Sequence, residues 1–342
     1  MGLAAQVPQG GVDGTPTLWH WVAFGVFVVV LLVLDLAVFH RHSREPTLRE
    51  SALWTLIWCA IALAFNGLVW IWRGPEHGIQ FLTGYVVEWT LSMDNVFVFA
   101  VIFKYFGVPL KYQYRVLFWG IIGAVVMRLT FILLGAGLLA QFAWVLPIFG
   151  LFLIYSGARL AFHGDGDYNP EKDLTMRAAK RIFYIAKENH QERFFVVENG
   201  LRCITPLFLV LLVIDSADLV FAVDSVPAIF GVTLDAFTVF TSNICAILGL
   251  RALYFLLAGV MDMFRYLNYG LSAVLVFVGA KMIFEFGKDR PPLLGWLEWL
   301  GVEKVELPPL ASLVIIVSLL GVAILASILV PQSETAEAKP PN

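Results

Sequence analysis

Charge is what this sequence has least of. Only 14% of its residues are Asp, Glu, Lys or Arg, against about a quarter in soluble domains. With a net charge of -3 it offers no basic surface, so no nucleic-acid partner is expected. Cysteine is scarce too: Cys59, Cys203 and Cys245 stand far apart in apolar runs. Without a CxxC or a Cys/His cluster, neither a disulfide framework nor a zinc site is expected. No GxxxxGK[ST] phosphate loop occurs, which argues against nucleotide-driven pumping by this chain alone. The first 16 residues hold no Lys or Arg and end in no small-residue cleavage site. Residues 1–18 are therefore expected to form a short external tail, not a signal peptide.

Long apolar runs are what it has in excess. Hydrophobic residues make up 59% of the chain, and the mean hydropathy is +0.80. A helix needs about 20 apolar residues to cross a bilayer. Nine stretches qualify, near 19–39, 52–72, 81–103, 115–139, 142–162, 203–229, 236–260, 269–286 and 310–330. Trp residues such as Trp19, Trp72, Trp144 and Trp296 gather at their ends, as an interfacial belt does. The fold class expected is an all-α polytopic membrane protein of about nine transmembrane helices.

Orientation follows from Lys and Arg, which collect on the cytoplasmic side. With the N-terminus outside, the inward segments hold 15 of the 23 Lys/Arg and the outward ones only Arg73, Lys288, Arg290 and Lys304. An N-out, C-in topology is expected. The first two helices occupy 19–80 and a first three-helix unit 81–162. A cytoplasmic linker follows at 163–202, read as a solvated connector with a short surface helix and a place where a protein partner could bind. A second three-helix unit spans 203–286, with an external loop at 287–309. The last helix takes 310–330 and a cytoplasmic tail 331–342.

The two three-helix units repeat one another. Glu88-Trp-Thr-Leu-Ser-Met-Asp94-Asn95-Val96 stands against Asp218-Leu-Val-Phe-Ala-Val-Asp224-Ser225-Val226. Phe106-Gly107-Val108 then matches Phe230-Gly231-Val232, Arg128 matches Arg251, and Gly157-Ala158-Arg159 matches Gly279-Ala280-Lys281. Three spans is an odd number, so the units are expected to cross the membrane in opposite senses. Such inverted repeats are a signature of secondary transporters with a site between them.

Six acids fall within spans: Asp35, Glu88, Asp94, Asp215, Asp218 and Asp224. Each costs about 2.5–3.5 kcal/mol at mid-membrane on insertion scales, so each needs a partner, a proton, water or a cation. At 100° per residue Glu88, Ser92 and Asn95 share a helix face, as do Asp215, Asp218 and Ser225. Asp94 and Asp224 join those faces only if the helices are distorted, and Pro227 supplies a reason for a break in the second motif. The oxygens on offer suit the hard cations Mn²⁺, Ca²⁺ and Mg²⁺. Arg128 and Arg251 read as static counter-ions or as gating partners. Arg159 and Lys281, near span ends, are expected to snorkel to the interface. Asp35, outside the repeat, is a candidate pathway or proton-relay residue.

The paired motifs Glu88-Trp-Thr-Leu-Ser-Met-Asp94-Asn95-Val-Phe-Val-Phe and Asp218-Leu-Val-Phe-Ala-Val-Asp224-Ser225-Val-Pro227-Ala resemble those of the TerC family, most closely its Alx-like branch. The resemblance covers roughly residues 20–330. It implies a nine-helix protein of the bacterial inner (plasma) membrane, kin to LysE-type exporters, with manganese export as its activity. The family's tellurite-resistance label is treated as a phenotype. The resemblance also implies metal ligands at Glu88, Asp94, Asp218 and Asp224, with Asn95 and Ser225 beside them. Ser92, Asp215, Arg128, Arg251 and Asp35 are the relay or counter-ion candidates from the residue pattern.

Two other readings compete. Gly164-Asp165-Gly166-Asp167 superficially matches a GxGD protease pattern, but it lies in the polar linker and not at membrane depth, so no enzymatic activity is expected. A non-transporting metal sensor or scaffold for a membrane complex is the alternative to transport.

Overall fold

The computed structural model describes residues 16–39, 47–163, 174–186, 193–198, 200–258, 266–288 and 307–329. Eight of the nine spans expected from hydropathy each correspond to one helix, and the one at 236–260 to a bent pair. The first helices are α1 (Leu18–Phe39), α2 (Leu48–Arg73), α3 (Pro75–Tyr105), α4 (Leu110–Gln141) and α5 (Val145–His163). After α6 (Leu174–Ile182) and three short strands come α7 (Pro206–Phe230), α8 (Ala236–Leu248), α9 (Leu250–Leu257), α10 (Leu267–Lys288) and α11 (Pro309–Leu329). Among the described residues eight helices are long and apolar enough to cross a membrane, and nine if the bent pair α8–α9 counts as one span. The protein is an all-α polytopic membrane protein in its spanning part.

Local chemistry sets the helix ends. Thr47 and Glu50 form a reciprocal capping box at the start of α2, which satisfies two otherwise orphaned backbone donors. Gly74, at φ +91, separates α2 from α3 in a conformation that side chains disfavour, and Pro75 then opens α3. Thr205 caps α7, with Pro206 at its first position. Asp235 caps α8 by accepting from the Thr238 amide at 2.9 Å. The α8–α9 bend of 43° falls at Gly249, where an added Cβ would lie 3.2 Å from Trp58 Cβ.

Helices in lipid gain little from burying apolar surface, so small residues and close contact hold them together. The α5–α10 pair shows this. A Cβ at Gly150 would stand 2.6 Å from the Gly279 carbonyl, and one at Gly157 would stand 2.8 Å from the Ser272 carbonyl. The space is used: Ser272 Oγ donates to the Gly157 carbonyl at 2.6 Å. Likewise Gly84 of α3 admits Ser242 of α8. Large parts of α1 and α2 remain exposed as apolar surface, as lipid-facing helices do.

Three expectations are corrected. The sixth span starts at Pro206, not 203, because residues 201–204 form a strand. The 163–202 segment is more than a connector with one helix: β1 (Tyr184–Ile185), β2 (Phe195–Glu198) and β3 (Leu201–Ile204) make a sheet of order β1-β3-β2. Finally, α7 is not broken at Pro227. That proline lies three residues from the helix end, so only the last turn follows it. The GxGD segment at 164–167 lies outside the described residues.

Candidate metal-ion site

The first acids of the two motifs converge on one arginine. Glu88 of α3 and Arg128 of α4 form an ion pair, both fully buried. Arg128 Nη2 also lies 3.7 Å from Asp218 Oδ1 of α7. Its Nη1 donates to Ser225 Oγ and to Asn243 Oδ1 of α8, each at 3.1 Å. Asn243 turns its amide nitrogen back to Glu88 Oε2 at 3.0 Å, and Ser92 Oγ donates to Glu88 Oε1 at 3.3 Å. Four helices thus meet at a single guanidinium. Its planar donors can serve several acceptors at once, which a lysine could not do.

The second acids do not join this node through helix distortion. Six residues along an ideal helix is about 120° round, so Asp224 faces a different neighbour from Asp218. It accepts a 2.7 Å hydrogen bond from Ser156 Oγ of α5. Asp94 is half-buried and Asn95 buried, about 9 Å or more along α3 from Glu88 by helical rise. Among the described residues no group of three or more His, Cys, Asp or Glu side chains could hold a metal ion.

Arg251 is placed differently from its counterpart. It pairs with Asp35 of α1, outside the repeat, and both are buried. Its guanidinium lies 4.4 Å from the ring centre of Tyr114 in α4, a cation–π contact. Lys281 does not snorkel: its ammonium is buried and donates to the Gly231 carbonyl at the end of α7 at 3.1 Å. A cation at a helix C-terminus is favoured by the exposed carbonyls there.

Beside Arg251 lies a cavity of about 10 Å³, lined also by Ile121, Ile214, Leu250, Asp215 and Asp218 among others. That is room for about one water-sized occupant. Asp215 Oδ1 and Asp218 Oδ2 are buried and accept no hydrogen bond. Glycines on α4 make the space. A Cβ at Gly123 would fall 3.1 Å from Asp215 Oδ2, and one at Gly120 would fall 3.5 Å from Oδ1. Two buried carboxylate oxygens without donors, facing a space of that size, call for a proton, a water or a cation.

The residues that sequence reasoning missed are Asn243, Ser156, Tyr114, Gly120 and Gly123. A signal existed for Asn243, a lone amide in the apolar run of α8.

The model of the integral membrane protein TerC family matches residues 73–335. The chain belongs to the TerC family. An uncharacterized membrane protein of Myxococcus xanthus, STKORF319, is 45% identical over 316 residues, covering 92% of this chain and 93% of that relative. An Escherichia coli K12 protein carries the name "Putative membrane-bound redox modulator Alx". It is 44% identical over 280 residues, covering 79% of this chain and 86% of its own. An uncharacterized membrane protein of Rickettsia felis is 35% identical over 309 residues, 90% of this chain and 97% of its own. No solved structure matches.

Proposed function

We propose that this TerC-family chain carries a divalent metal cation out of the cytoplasm of a bacterial cell by alternating access, with Mn²⁺ as its main cargo. The observation that carries this reading is the cavity beside Arg251, where Asp215 Oδ1 and Asp218 Oδ2 lack hydrogen-bond donors. An acid kept in a membrane without a function is costly, and these two oxygens gain most from a cation. Carboxylate oxygens favour Mn²⁺, Ca²⁺ and Mg²⁺ over soft metals. The Arg128 node holds Glu88 and Asp218 together while no cation is bound. Glu88, Asp94, Asn95, Asp224 and Ser225 enter the ligand shell in another state of the cycle. When the cation leaves, protons replace it on the acids, so flux is coupled to the proton gradient.

The test is flux in proteoliposomes of the purified chain, comparing Mn²⁺, Ca²⁺ and Mg²⁺ with and without a pH gradient. Mn²⁺ movement that a pH gradient accelerates and Asp215→Asn removes is the expected result. If a folded protein moves no ion, or if Asp215→Asn moves Mn²⁺ as the native chain does, the transport reading fails. The sensor or scaffold reading then replaces it.

A further inference from the structure

The small sheet has one property that a water-facing sheet lacks. Exposed sheets normally alternate apolar inward and polar outward. In β2, Val196 faces inward with Cys203 and Ala186, yet its neighbours Phe195 and Val197 face outward at 62% and 67% exposure. Ile182, Phe183, Tyr184 and Leu201 are also exposed. Among them stand the exposed Arg177, Arg181, Arg193 and Arg202. Arg202 is the cross-strand partner of Val197, so both lie on one face of the hairpin.

The sheet is fixed at the end of a membrane span. β3 ends at Ile204, one residue before the Thr205 cap of α7. Thr205 donates its amide to the Phe194 carbonyl at 3.0 Å. The rings of Phe195 and Phe208, the latter in the first turn of α7, are 4.6 Å apart. Arg115, near the start of α4, lies 5.1 Å from the ring centre of Phe194. The exposed apolar side chains of β2 therefore lie beside the first turn of a membrane-spanning helix.

We propose that residues 182–186, 193–198 and 200–204 form a membrane-surface anchor that sits in the headgroup layer of anionic phospholipid. Phe195 and Val197, on the face that also carries Arg202, enter the boundary between headgroups and acyl chains, where aromatic and aliphatic side chains are stable. Arg181 and Arg202 hold phosphodiester groups, for which a guanidinium is the better-matched cation. The side of the membrane is the one that the Lys/Arg bias assigns to the cytoplasm, where anionic lipid attracts basic segments. The anchor does not depend on what the chain transports.

The experiment uses the full chain in nanodiscs of phosphatidylcholine with phosphatidylglycerol, with Cys59, Cys203 and Cys245 replaced by Ala. An environment-sensitive fluorophore is placed at Val197→Cys, with Glu76→Cys as the water-exposed control and Val126→Cys as the lipid-facing one. Strong quenching by a nitroxide on the lipid headgroup region and weak quenching by iodide are expected at Val197→Cys. Phosphatidylcholine alone should shift the balance toward iodide, as should Arg181→Ala with Arg202→Ala. Iodide quenching as strong as at Glu76→Cys overturns the proposal. Protection from both quenchers also overturns it, because the face is then covered by protein, either a second copy or another partner. Should the cysteine-free chain fail to fold, the native chain is irradiated with a headgroup-diazirine phospholipid. Adducts on the peptide containing 193–202 are expected, and adducts confined to the spans contradict the anchor.

Discussion

Arg128 and Arg251 occupy matched places in the repeated pattern, and their surroundings differ. Around Arg128 are a carboxylate from each repeat, a hydroxyl and an amide. Around Arg251 are one carboxylate from α1 and an aromatic ring. The first arginine joins the repeats to each other. The second ties a peripheral helix to the bend at Gly249 and borders the cavity that holds the unpaired oxygens of Asp215 and Asp218. A shared residue type at a repeated position thus carries a structural duty on one side and borders the candidate cargo site on the other. The difference arises because α1 has no counterpart within the repeats.

The comparison breaks most sharply at Arg128. Arg128→Gln leaves Glu88 and Asp218 without their cation, and removing one partner of a buried pair costs about 3–5 kcal/mol. Chemical unfolding in detergent should show that loss, and Glu88→Gln in the same chain should restore part of it. Asp35→Asn should cost less, about 1.5–3 kcal/mol, because one carboxylate is removed and the Tyr114 contact remains. Equal losses at the two sites would erase the distinction.

Gly123→Ala sharpens the cavity side. Its Cβ would press on Asp215 at 3.1 Å, so Mn²⁺ flux should fall. Gly137→Ala on the same helix meets open space and should leave flux unchanged while gaining about 0.5–1 kcal/mol of helix stability.

The smallest effect is a pH effect at the loop before α8. Burial pushes the Asp235 carboxyl up, but hydrogen bonds from Arg73 and Thr238 and the charge of Arg73 outweigh it and hold Asp235 below its ordinary range. A depressed folded value means stability that is present above the unfolded value and lost as pH falls through the folded one. Stability measured between neutral and strongly acidic pH should therefore lose an acid-side component in Asp235→Asn. An unchanged acid limb would show that this pair contributes nothing.

Much of this was legible in the sequence. The eight long spanning helices and the bent pair follow from length and hydropathy alone, because no soluble helix sustains such runs without a polar face. The faces of Glu88 and Ser92, and of Asp215 and Asp218, follow from the 100° step. Partner choice did not. Asp35 and Arg251 are 216 residues apart, and no local pattern links them. Asn243 escaped because a search for charge passes over a neutral amide. The hairpin was visible in Asn199-Gly200 between Phe195-Val-Val-Glu198 and Leu201-Arg-Cys-Ile204. Asn-Gly between apolar runs is a strong turn signal, and Gly200 has the positive φ, +80, that such a turn requires. It was obscured because the surrounding charges made the whole segment read as solvated connector. Pro227 misled in the opposite direction, since its closeness to the helix end matters more than its presence.

The central claim is that the cation's site is built on Asp215 and on Asp218, whose other oxygen faces Arg128. The most direct measurement is Mn²⁺ binding to the purified chain, read from loss of the free-Mn²⁺ electron paramagnetic resonance signal. Binding by the native chain that disappears in Asp215→Asn, with the fold intact by unfolding, is the predicted result. Binding by Asp215→Asn that equals the native chain's would contradict the account.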